Sequence, residues 1–324
     1  MKSVRLGRTG LKVSQLCFGT MSFGGDADGA ESKRLYAACR DAGIDFFDCA
    51  DVYNGGKAEE ILGDLIRPER DRIILTSKCA SVLGDGSQPN RGGANRRHIL
   101  KAVEDSLKRL GTDRLDILFL HRWDPETPIE ESLRTLEDLV RSGKVVHIGA
   151  SNYTAWQMAK SLGIQDRNAW SRFDVIQPMY NLLKRQAEVE ILPQAAAEGL
   201  GVISYGPNAG GLLTGKYRDG ARPEGARMIA SAMYAKRYAD DYYYDTAAQF
   251  TAFADRMGIH PVSLAVAWAA HHPAITCPII GARSVEQLQA SLASVDVPMS
   301  DALWADIAAL TRRPPSPVDR DEEL

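Results

Sequence analysis

Short apolar runs alternate with longer stretches of mixed polarity along this chain. Within those stretches apolar residues recur every three or four positions, as in the stripe of Ile129, Leu133, Leu136, Leu139 and Val140. A short apolar run predicts a buried strand, and the longer period predicts an amphipathic helix. Eight such runs occur, at residues 15–19, 44–48, 72–77, 115–120, 145–150, 174–178, 200–205 and 275–281.

Strands that alternate with helices predict a parallel sheet, and eight such units in 324 residues predict a closed (β/α)8 barrel of the TIM type. The competing architecture is a doubly wound sheet, which normally carries a GxGxxG loop after its first strand. The first strand here leads into GTMSFGGDADG, which has glycines without that spacing. An α/β barrel is therefore the predicted fold class.

The chain is predicted to form one barrel domain over residues 1–312, with additional C-terminal helices. Residues 206–240, after the seventh strand, show no clear period and are expected to form a long loop. Such loops are usually functional, although a surface excursion with a short helix is the alternative. The Pro-rich, charged residues 313–324 predict a flexible tail.

Charge and composition narrow the expected partners. The net charge is −3 and there is no Lys/Arg block, so no nucleic-acid partner is expected. MKSVRLGRTGLKVS lacks the apolar core of a leader, and no run of 18 apolar residues occurs. These features predict a cytoplasmic protein with no membrane partner. The 5 cysteines are irregularly spaced, which predicts buried, reduced thiols and no metal site.

Polar side chains follow three successive predicted strands. Asp48 ends the second strand and Tyr53 lies in the next loop, while Lys78 follows the third strand and His121 the fourth. Taken singly, they can be a turn residue, a loop aromatic, a surface charge and a core histidine. Because barrel enzymes place their active sites at the C-terminal ends of the strands, the four together predict a proton-transfer site.

The expected chemistry of this site follows from the tyrosine pKa, which is about 10 in water. A nearby lysine ammonium lowers the pKa of the phenol, and an aspartate keeps that lysine charged. A histidine can hydrogen-bond the substrate oxygen or relay a proton. This arrangement suits protonation of a carbonyl oxygen while a hydride reaches the carbon.

The motifs around these residues resemble the aldo-keto reductase family, in particular its long-chain bacterial and potassium channel β-subunit-like members. The family's D-x-A-x-x-Y motif is matched by GIDFFDCADVYNGGKAEEILG, and its catalytic-lysine strand by ILTSKCA. Its most characteristic block is similar to RLDILFLHRWDPETPIEESLRTLEDLVRSGKVVHIGASNY. Further matches follow in order in VIQPMYNLL, SYGPNAGGLLTGKY and PIIGARSVEQL, so the resemblance runs from LGRTGLKVS to about residue 293.

The resemblance implies an NADP(H)-dependent oxidoreductase that reduces an aldehyde or ketone to an alcohol, or the reverse, by direct hydride transfer. It implies Tyr53 as the general acid/base, tuned by Lys78 and Asp48, with His121 orienting the carbonyl group.

The resemblance also implies where the nicotinamide end of the cofactor lies. Ser151 and Asn152 would hold the carboxamide beside Gln177, and Tyr205 would stack on the ring.

The phosphates and the adenine are implied further along the chain. Residues 206–213 would line the pyrophosphate, Arg283 and Ser284 would meet the 2′-phosphate, and Gln287 would lie at the adenine end. A guanidinium matches a phosphate bidentately, which favours NADP(H) over NAD(H). The remaining implied cofactor residues are Gly19, Thr20, Met21, Asp48, Gly206, Pro207, Asn208, Gly210, Leu212, Gly215, Lys216, Ile280 and Gly281.

Two departures from the family pattern concern the cofactor. Gly206 and Asn208 flank Pro207 where the family more often has Ser and Leu, which puts the pyrophosphate loop in question. Ala290 and Ser291 stand where an acidic residue and Asn often contact adenine.

The substrate is expected at the mouth of the barrel. Met21, Phe23, Tyr53 and Trp123 are predicted to ring the pocket, which favours an apolar or aromatic carbonyl compound. The alternative is that Phe23 and Trp123 pack against neighbouring loops.

Other classes of function compete with this interpretation. A cofactor-binding partner subunit with little turnover would share the fold and the motifs. A metal-dependent hydrolase would need clustered His and carboxylate ligands, and a Schiff-base aldolase would need Lys78 uncharged despite Asp48. The oligomeric state is left open, with a homo-oligomer as one expectation.

Overall fold

The computed structural model describes residues 1–82, 88 and 90–318. The chain begins with an antiparallel hairpin of β1 (Ser3–Arg5) and β2 (Lys12–Ser14), which the hydrophobic pattern does not predict. Leu6 and Val13 are fully buried, and Leu6 packs against Gly201 at the start of a barrel strand. The hairpin therefore closes the N-terminal end of the barrel.

Eight parallel strands form a closed barrel in the order β10-β3-β4-β5-β6-β7-β8-β9. Each overlaps one of the eight predicted runs, so the predicted (β/α)8 fold is confirmed. The strands are β3 (Cys17–Gly19), β4 (Phe46–Asp48), β5 (Ile74–Cys79), β6 (Leu115–Leu120), β7 (Val145–Ser151), β8 (Phe173–Gln177), β9 (Gly201–Tyr205) and β10 (Cys277–Ile280).

Helices pack around the barrel and continue beyond it. They are α1 (Gly29–Asp41), α2 (Lys57–Ile66), α3 (Arg96–Leu110), α4 (Ile129–Arg141), α5 (Ala155–Arg167), α6 (Ile191–Glu198), α7 (Arg227–Ala230), α8 (Ala232–Arg237), α9 (Asp241–Arg256), α10 (Pro261–His271), α11 (Val285–Leu292) and α12 (Asp301–Ala308). The predicted stripe lies on α4, where Ile129, Leu133, Leu136 and Leu139 are buried, because residues three or four apart share one face of a helix.

The side chains inside the barrel form an apolar cluster and a polar layer. Successive residues of a strand point to opposite faces, so every second residue faces inward. Phe46, Ile117, Phe119 and Val175 belong to one apolar cluster inside the barrel. Two residues beyond Phe46 on the same face lies Asp48, which begins a polar layer at the C-terminal end.

Residues 206–240 form the long connection predicted after the seventh barrel strand, and they contain short helices, as in the alternative that the sequence leaves open. They contain 3-10 segments at Ala209–Thr214 and Arg218–Gly220, followed by α7 and α8. These elements are too short for a helical period to show in the sequence.

The predicted tail is described in part. Residues 313–318 contain no helix or strand, and residues 319–324 lie outside the described part of the chain. Among the described helices, none is both long and apolar enough to cross a membrane. The five cysteines are unpaired and buried, as predicted.

Candidate active site

The four predicted catalytic residues meet at the C-terminal end of the barrel. Asp48 is the last residue of β4, Lys78 lies near the end of β5, Tyr53 starts a 3-10 turn, and His121 follows β6. Lys78 Nζ lies 2.6 Å from Asp48 Oδ2 and 3.1 Å from Tyr53 Oη. The rings of Tyr53 and His121 meet edge to face, with centroids 6.2 Å apart.

Asp48 is held by three hydrogen bonds from side chains of two other strands, β5 and β8. Thr76 Oγ1 and Gln177 Nε2 donate to Asp48 Oδ1 at 2.8 and 2.9 Å, and Lys78 donates to the other oxygen. Asp48 pairs with Thr76 in the register of β4 and β5, which brings these side chains side by side. Gln177, predicted beside the nicotinamide, thus also positions the carboxylate.

Lys78 is fully buried, and it remains charged. Burial lowers the pKa of an ammonium group, but the Asp48 carboxylate and the Tyr53 hydroxyl outweigh burial and raise the pKa of Lys78. Lys78 Nζ also donates to the Cys49 carbonyl at 2.8 Å. A buried lysine held in this way is a fixed positive charge beside the phenol.

The expectation that the pKa of Tyr53 is lowered is wrong for this structure. Burial of the phenol raises the pKa of Tyr53 to about 12, because desolvation of the phenolate exceeds the attraction of Lys78, and Asp48 adds to the rise. Tyr53 therefore keeps its proton at neutral pH. Lys78 offsets part of the penalty of forming the phenolate instead of favouring it outright.

His121 is a neutral side chain in this environment. Burial, helped by the positive charges of Lys78 and Arg122, lowers the pKa of His121 to about 3. Its Nδ1 lies 3.2 Å from Ser81 Oγ. A neutral imidazole can offer one N–H group to an oxygen acceptor.

The four residues predicted at the nicotinamide end share one hydrogen-bond network. Ser151 Oγ donates to the Gln177 carbonyl at 3.0 Å, and Asn152 Nδ2 lies 3.1 Å from Ser151 Oγ. Tyr205 Oη donates to Asn152 Oδ1 at 2.6 Å. Asn152 also reaches the His121 carbonyl at 2.9 Å, which links this network to the catalytic residues.

The loop after β9 offers a cradle rich in glycine. Gly210 and Gly211 have φ values of 65° and 99°, a region that residues with a Cβ rarely adopt. A Cβ on Gly210 would lie 2.6 Å from the Tyr234 ring, so α8 packs directly on this loop. Asn208 Oδ1 is buried and has no hydrogen-bond partner within the described residues.

Three cations gather beside this loop. Partial burial lowers the pKa of Lys216, and the nearby positive charges of Arg283 and Arg227 lower it further. The Arg283 guanidinium lies 2.9 Å from Asp26 and donates to the Gly225 carbonyl at 2.8 Å. The cluster repels itself electrostatically, which favours an anionic ligand.

The other residues implied for cofactor binding differ in their exposure to solvent. Ser284 caps α11 by accepting from the Gln287 backbone, and Gln287 Oε1 accepts from the Arg283 backbone at 3.2 Å. Four of them are buried, namely Thr20, Pro207, Leu212 and Ile280. The rest are at least partly accessible, namely Gly19, Met21, Gly206, Gly215 and Gly281.

The predicted substrate pocket needs one correction. Phe23 is fully buried and packs against Phe18 at a centroid distance of 5.8 Å, so it does not line the mouth. Met21 is 40% exposed. Trp123 packs edge to face on buried Tyr153 and on Trp156, with centroids 5.3 and 5.4 Å away, and Trp156 is 59% exposed.

Several residues of the site escape sequence reasoning. Thr76 and Ser81 act on Asp48 and His121 from neighbouring strands and loops, and Arg227 joins the cation cluster from α7. Thr76 sits in the run RIILTS, two residues before Lys78, where the period of two could have assigned it to the same face. Arg227 has no local signal.

Comparison with known proteins agrees with this geometry. A sequence model of the Aldo/keto reductase family matches residues 15–312. A probable voltage-gated potassium channel subunit beta of Arabidopsis thaliana is 37% identical over 304 residues, which cover 92% of each chain. The uncharacterized oxidoreductase YrpG of Bacillus subtilis is 36% identical over 312 residues, again 92% of each chain. The versiconal hemiacetal acetate reductase of Aspergillus parasiticus is 35% identical over 327 residues, 93% of this chain and 94% of that protein.

The chain belongs to the aldo/keto reductase family. Membership supports oxidoreductase chemistry on carbonyl compounds with a nicotinamide cofactor.

Proposed function

We propose that this protein reduces an aldehyde or ketone to an alcohol with NADPH, or catalyses the reverse with NADP⁺, and that Tyr53 is the general acid/base. The observation that carries the proposal is the contact of Lys78 Nζ with Tyr53 Oη at 3.1 Å and with Asp48 at 2.6 Å. A protonated phenol beside a fixed ammonium can give its proton to a carbonyl oxygen, since the ammonium stabilises the phenolate that forms.

Each of the four residues has a separate task. Tyr53 holds the proton at Oη, and Lys78 supplies positive charge as that proton leaves. Asp48 fixes Lys78 and keeps it charged. Neutral His121 hydrogen-bonds the carbonyl oxygen and orients it toward Tyr53.

The residues of this chain fit a nicotinamide dinucleotide. Ser151, Asn152 and Gln177 would hold the carboxamide and Tyr205 the ring, within the network that already joins them. The glycine-rich loop at Gly210 and Gly211, whose positive φ values residues with a Cβ rarely adopt, suits the pyrophosphate region. When bound, the reduced dinucleotide supplies the hydride that the carbonyl carbon accepts.

The cation cluster supports NADP(H) rather than NAD(H). Lys216, Arg227 and Arg283 would surround the 2′-phosphate, and a dianionic phosphate would relieve their mutual repulsion. Ser284, the N-cap of α11, would place the positive end of this helix dipole near the phosphate.

Removal of Arg283 tests the cofactor preference. The Arg283→Ala variant should bind NADPH at least about tenfold more weakly and NADH nearly unchanged, because only NADPH carries the phosphate. Binding can be measured by fluorescence titration. Arg172→Ala, which removes a surface ion pair with Glu198, is the matched control. Equal losses for both nucleotides would remove the 2′-phosphate role.

The mouth of the barrel favours an apolar or aromatic carbonyl compound. Met21 is 40% exposed in the loop after β3, and Trp123, two residues after His121, packs against Trp156, which is 59% exposed. Apolar side chains of this kind stabilise a ligand by removing its apolar surface from water.

The partners that the sequence predicts are part of this proposal. A net charge of −3 supports a small-molecule partner rather than nucleic acid. We further propose that residues 1–312 act as one domain in the cytoplasm, alone or as a homo-oligomer, without a membrane partner.

A second candidate is a cofactor-binding partner subunit with little turnover. It is favoured by relatives from Arabidopsis thaliana and Oryza sativa, each named as a probable voltage-gated potassium channel subunit beta and 37% and 36% identical. The two candidates differ in turnover, because a partner subunit would bind the dinucleotide and leave carbonyl compounds unreduced.

The Tyr53→Phe variant tests the assignment of the acid. It should bind the dinucleotide with nearly unchanged affinity and reduce carbonyl substrates at least about 100-fold more slowly, the scale of general acid catalysis. Tyr36→Phe, which removes a partly buried hydroxyl that bonds Glu69 and none of the four site residues, is the matched control. A rate within a factor of two of the wild type in Tyr53→Phe would contradict the role of Tyr53.

A further inference from the structure

The chain turns sharply just after the strand that carries Lys78. Ala80 is buried and has a φ of 76°, a conformation that costs energy for a residue with a Cβ. Backbone strain of this kind persists where the surroundings enforce it and concentrates at functional sites. Its local effect is to direct the next side chain, Ser81, at the His121 ring.

Ser81 reaches a specific atom of the histidine. Its Oγ lies 3.2 Å from His121 Nδ1, and Ser81 is 3% exposed. The backbone of His121 is fixed from the same segment, because its N–H donates to the Cys79 carbonyl at 2.8 Å. Ring and backbone of His121 are therefore both held by residues 79–81.

Ser81 lies beside the start of α3. His98, on the first turn of that helix, is 3% exposed, and the backbone of Ser81 is close enough to affect the pKa of His98. The His98 backbone N–H is in turn capped by Asn95 at 2.9 Å. The order of contacts runs from the start of α3 through Ser81 to the imidazole.

The hydrogen-bond donors and acceptors around the His121 ring favour one of its tautomers. In the described part of the chain, the Ser81 hydroxyl has no acceptor other than His121 Nδ1, and His121 Nε2 has no partner. If Nδ1 carried the proton, the buried Ser81 proton would lack an acceptor, which is costly. If Ser81 donates to Nδ1, that proton is satisfied and Nε2 carries its own proton toward the pocket.

We propose that Ser81 is a positioning residue that fixes His121 in the Nε2-protonated tautomer, so that the imidazole donates a hydrogen bond to the carbonyl oxygen of the substrate. The inference rests on the proposed carbonyl reduction for its consequence, although the tautomer itself does not depend on it.

The tautomer decides the sign of the interaction with the substrate. An Nε2–H group attracts the carbonyl oxygen and the negative charge that develops on it, whereas an Nε2 lone pair repels both. Lys78 and Arg122 are the charged groups that bear on the ring, and both oppose a second proton on it. Loss of the Ser81 hydroxyl therefore exchanges one neutral tautomer for a mixture.

Nitrogen-15 NMR of the histidine side chains in the protein without substrate tests the tautomer directly. The signal of His121, identified by its absence in His121→Asn, should have the shifts of an Nε2-protonated neutral imidazole. In Ser81→Ala it should move toward the average of both tautomers, and in Ser81→Thr it should return toward the wild type. Ser161→Ala, which removes another buried hydroxyl on α5, should leave it unchanged.

Kinetics of the same variants measure the consequence. Ser81→Ala should lower kcat/KM for carbonyl reduction about tenfold with dinucleotide affinity unchanged, and Ser81→Thr should recover most of the loss. An Nδ1-protonated His121 in the wild type, or a tautomer that does not respond to Ser81→Ala, would overturn the inference. Absence of carbonyl reduction in the wild type, with the tautomer as described, would instead count against the proposed function alone.

Discussion

Tyr53 and His121 are both neutral over the physiological range, for the same physical reason. Burial penalises the charged form of each side chain, which raises the pKa of Tyr53 to about 12 and lowers that of His121 to about 3. Over this pH range, Tyr53 therefore carries the proton that it can donate, and His121 is an uncharged hydrogen-bond donor. Lys78 supplies the positive charge between them.

The pH dependence of the two reaction directions follows from these pKa values. Carbonyl reduction needs protonated Tyr53 and neutral His121, so neither residue should alter kcat between pH about 5 and about 9. Alcohol oxidation needs the phenolate, so its rate should rise with pH throughout that range. Stopped-flow measurement of hydride transfer in both directions checks this. An inflection near pH 6.5 in reduction that is absent in His121→Gln would contradict a neutral His121.

Sequence reasoning predicts that the four residues of the proposed catalytic site come together, because each lies at the end of a recognisable strand or in the loop after it. It does not predict the direction of the Tyr53 pKa shift, since that depends on how completely the barrel removes water from Oη. Ser81 is also missed, because the strained turn at Ala80 that aims it at His121 has no pattern in the sequence.

At the scale of elements, α2 and α3 pack at very close range through a glycine. A Cβ on Gly63 would lie 2.5 Å from the Leu110 carbonyl oxygen and 2.6 Å from its carbon, so it would strike the backbone of α3. Gly163 on α5 has no atom within 4 Å of such a Cβ. The two helical glycines therefore form a matched pair.

Alanine substitutions at these glycines should act in opposite directions. Gly63→Ala should lower the free energy of unfolding by about 2 kcal/mol, because the helices must move apart. Gly163→Ala should raise it by about 0.5–1 kcal/mol, since alanine favours the helix and meets no obstacle. Urea denaturation measures both. Equal effects from the two variants would show that helix propensity, and not packing, governs Gly63.

The eight barrel strands are predictable because each is a short, buried apolar run between polar helical stretches. The hairpin of β1 and β2 is not, because SVR and KVS are too short and too polar to show a pattern. The helices α7 and α8 are not predicted for a related reason. They have 4 and 6 residues, which is too short for a helical period to repeat.

At the scale of the whole molecule, the burial of the Asp51 carboxylate lowers the free energy of unfolding. Asp51 is 1% exposed, and neither carboxylate oxygen has a hydrogen-bond partner among the residues that the structure describes. Burial, reinforced by the nearby Glu59 carboxylate, raises the pKa of Asp51 to about 7, while Arg109 and Lys78 partly oppose the rise. Its ordinary value in an unfolded chain is about 3.9.

The folded protein therefore binds more protons than the unfolded chain between pH about 4 and about 7, and the free energy of unfolding falls as the pH rises through this window. Asp51→Asn should remove that fall and be more stable than the wild type above pH 7, by at most about 4 kcal/mol. Thermal unfolding at several pH values measures the difference. Exposed Asp113→Asn is the control, and a constant difference across the pH range would contradict a raised Asp51 pKa.

The most direct test of the whole account is titration of the purified protein with NADPH and NADH, followed by addition of aldehydes, ketones and quinones to the complex. We expect tighter binding of NADPH and loss of the reduced-nicotinamide absorbance with at least one apolar or aromatic carbonyl compound. Tight binding without turnover on any compound would favour the second candidate function, a cofactor-binding partner subunit. Failure to bind either nucleotide would contradict the account.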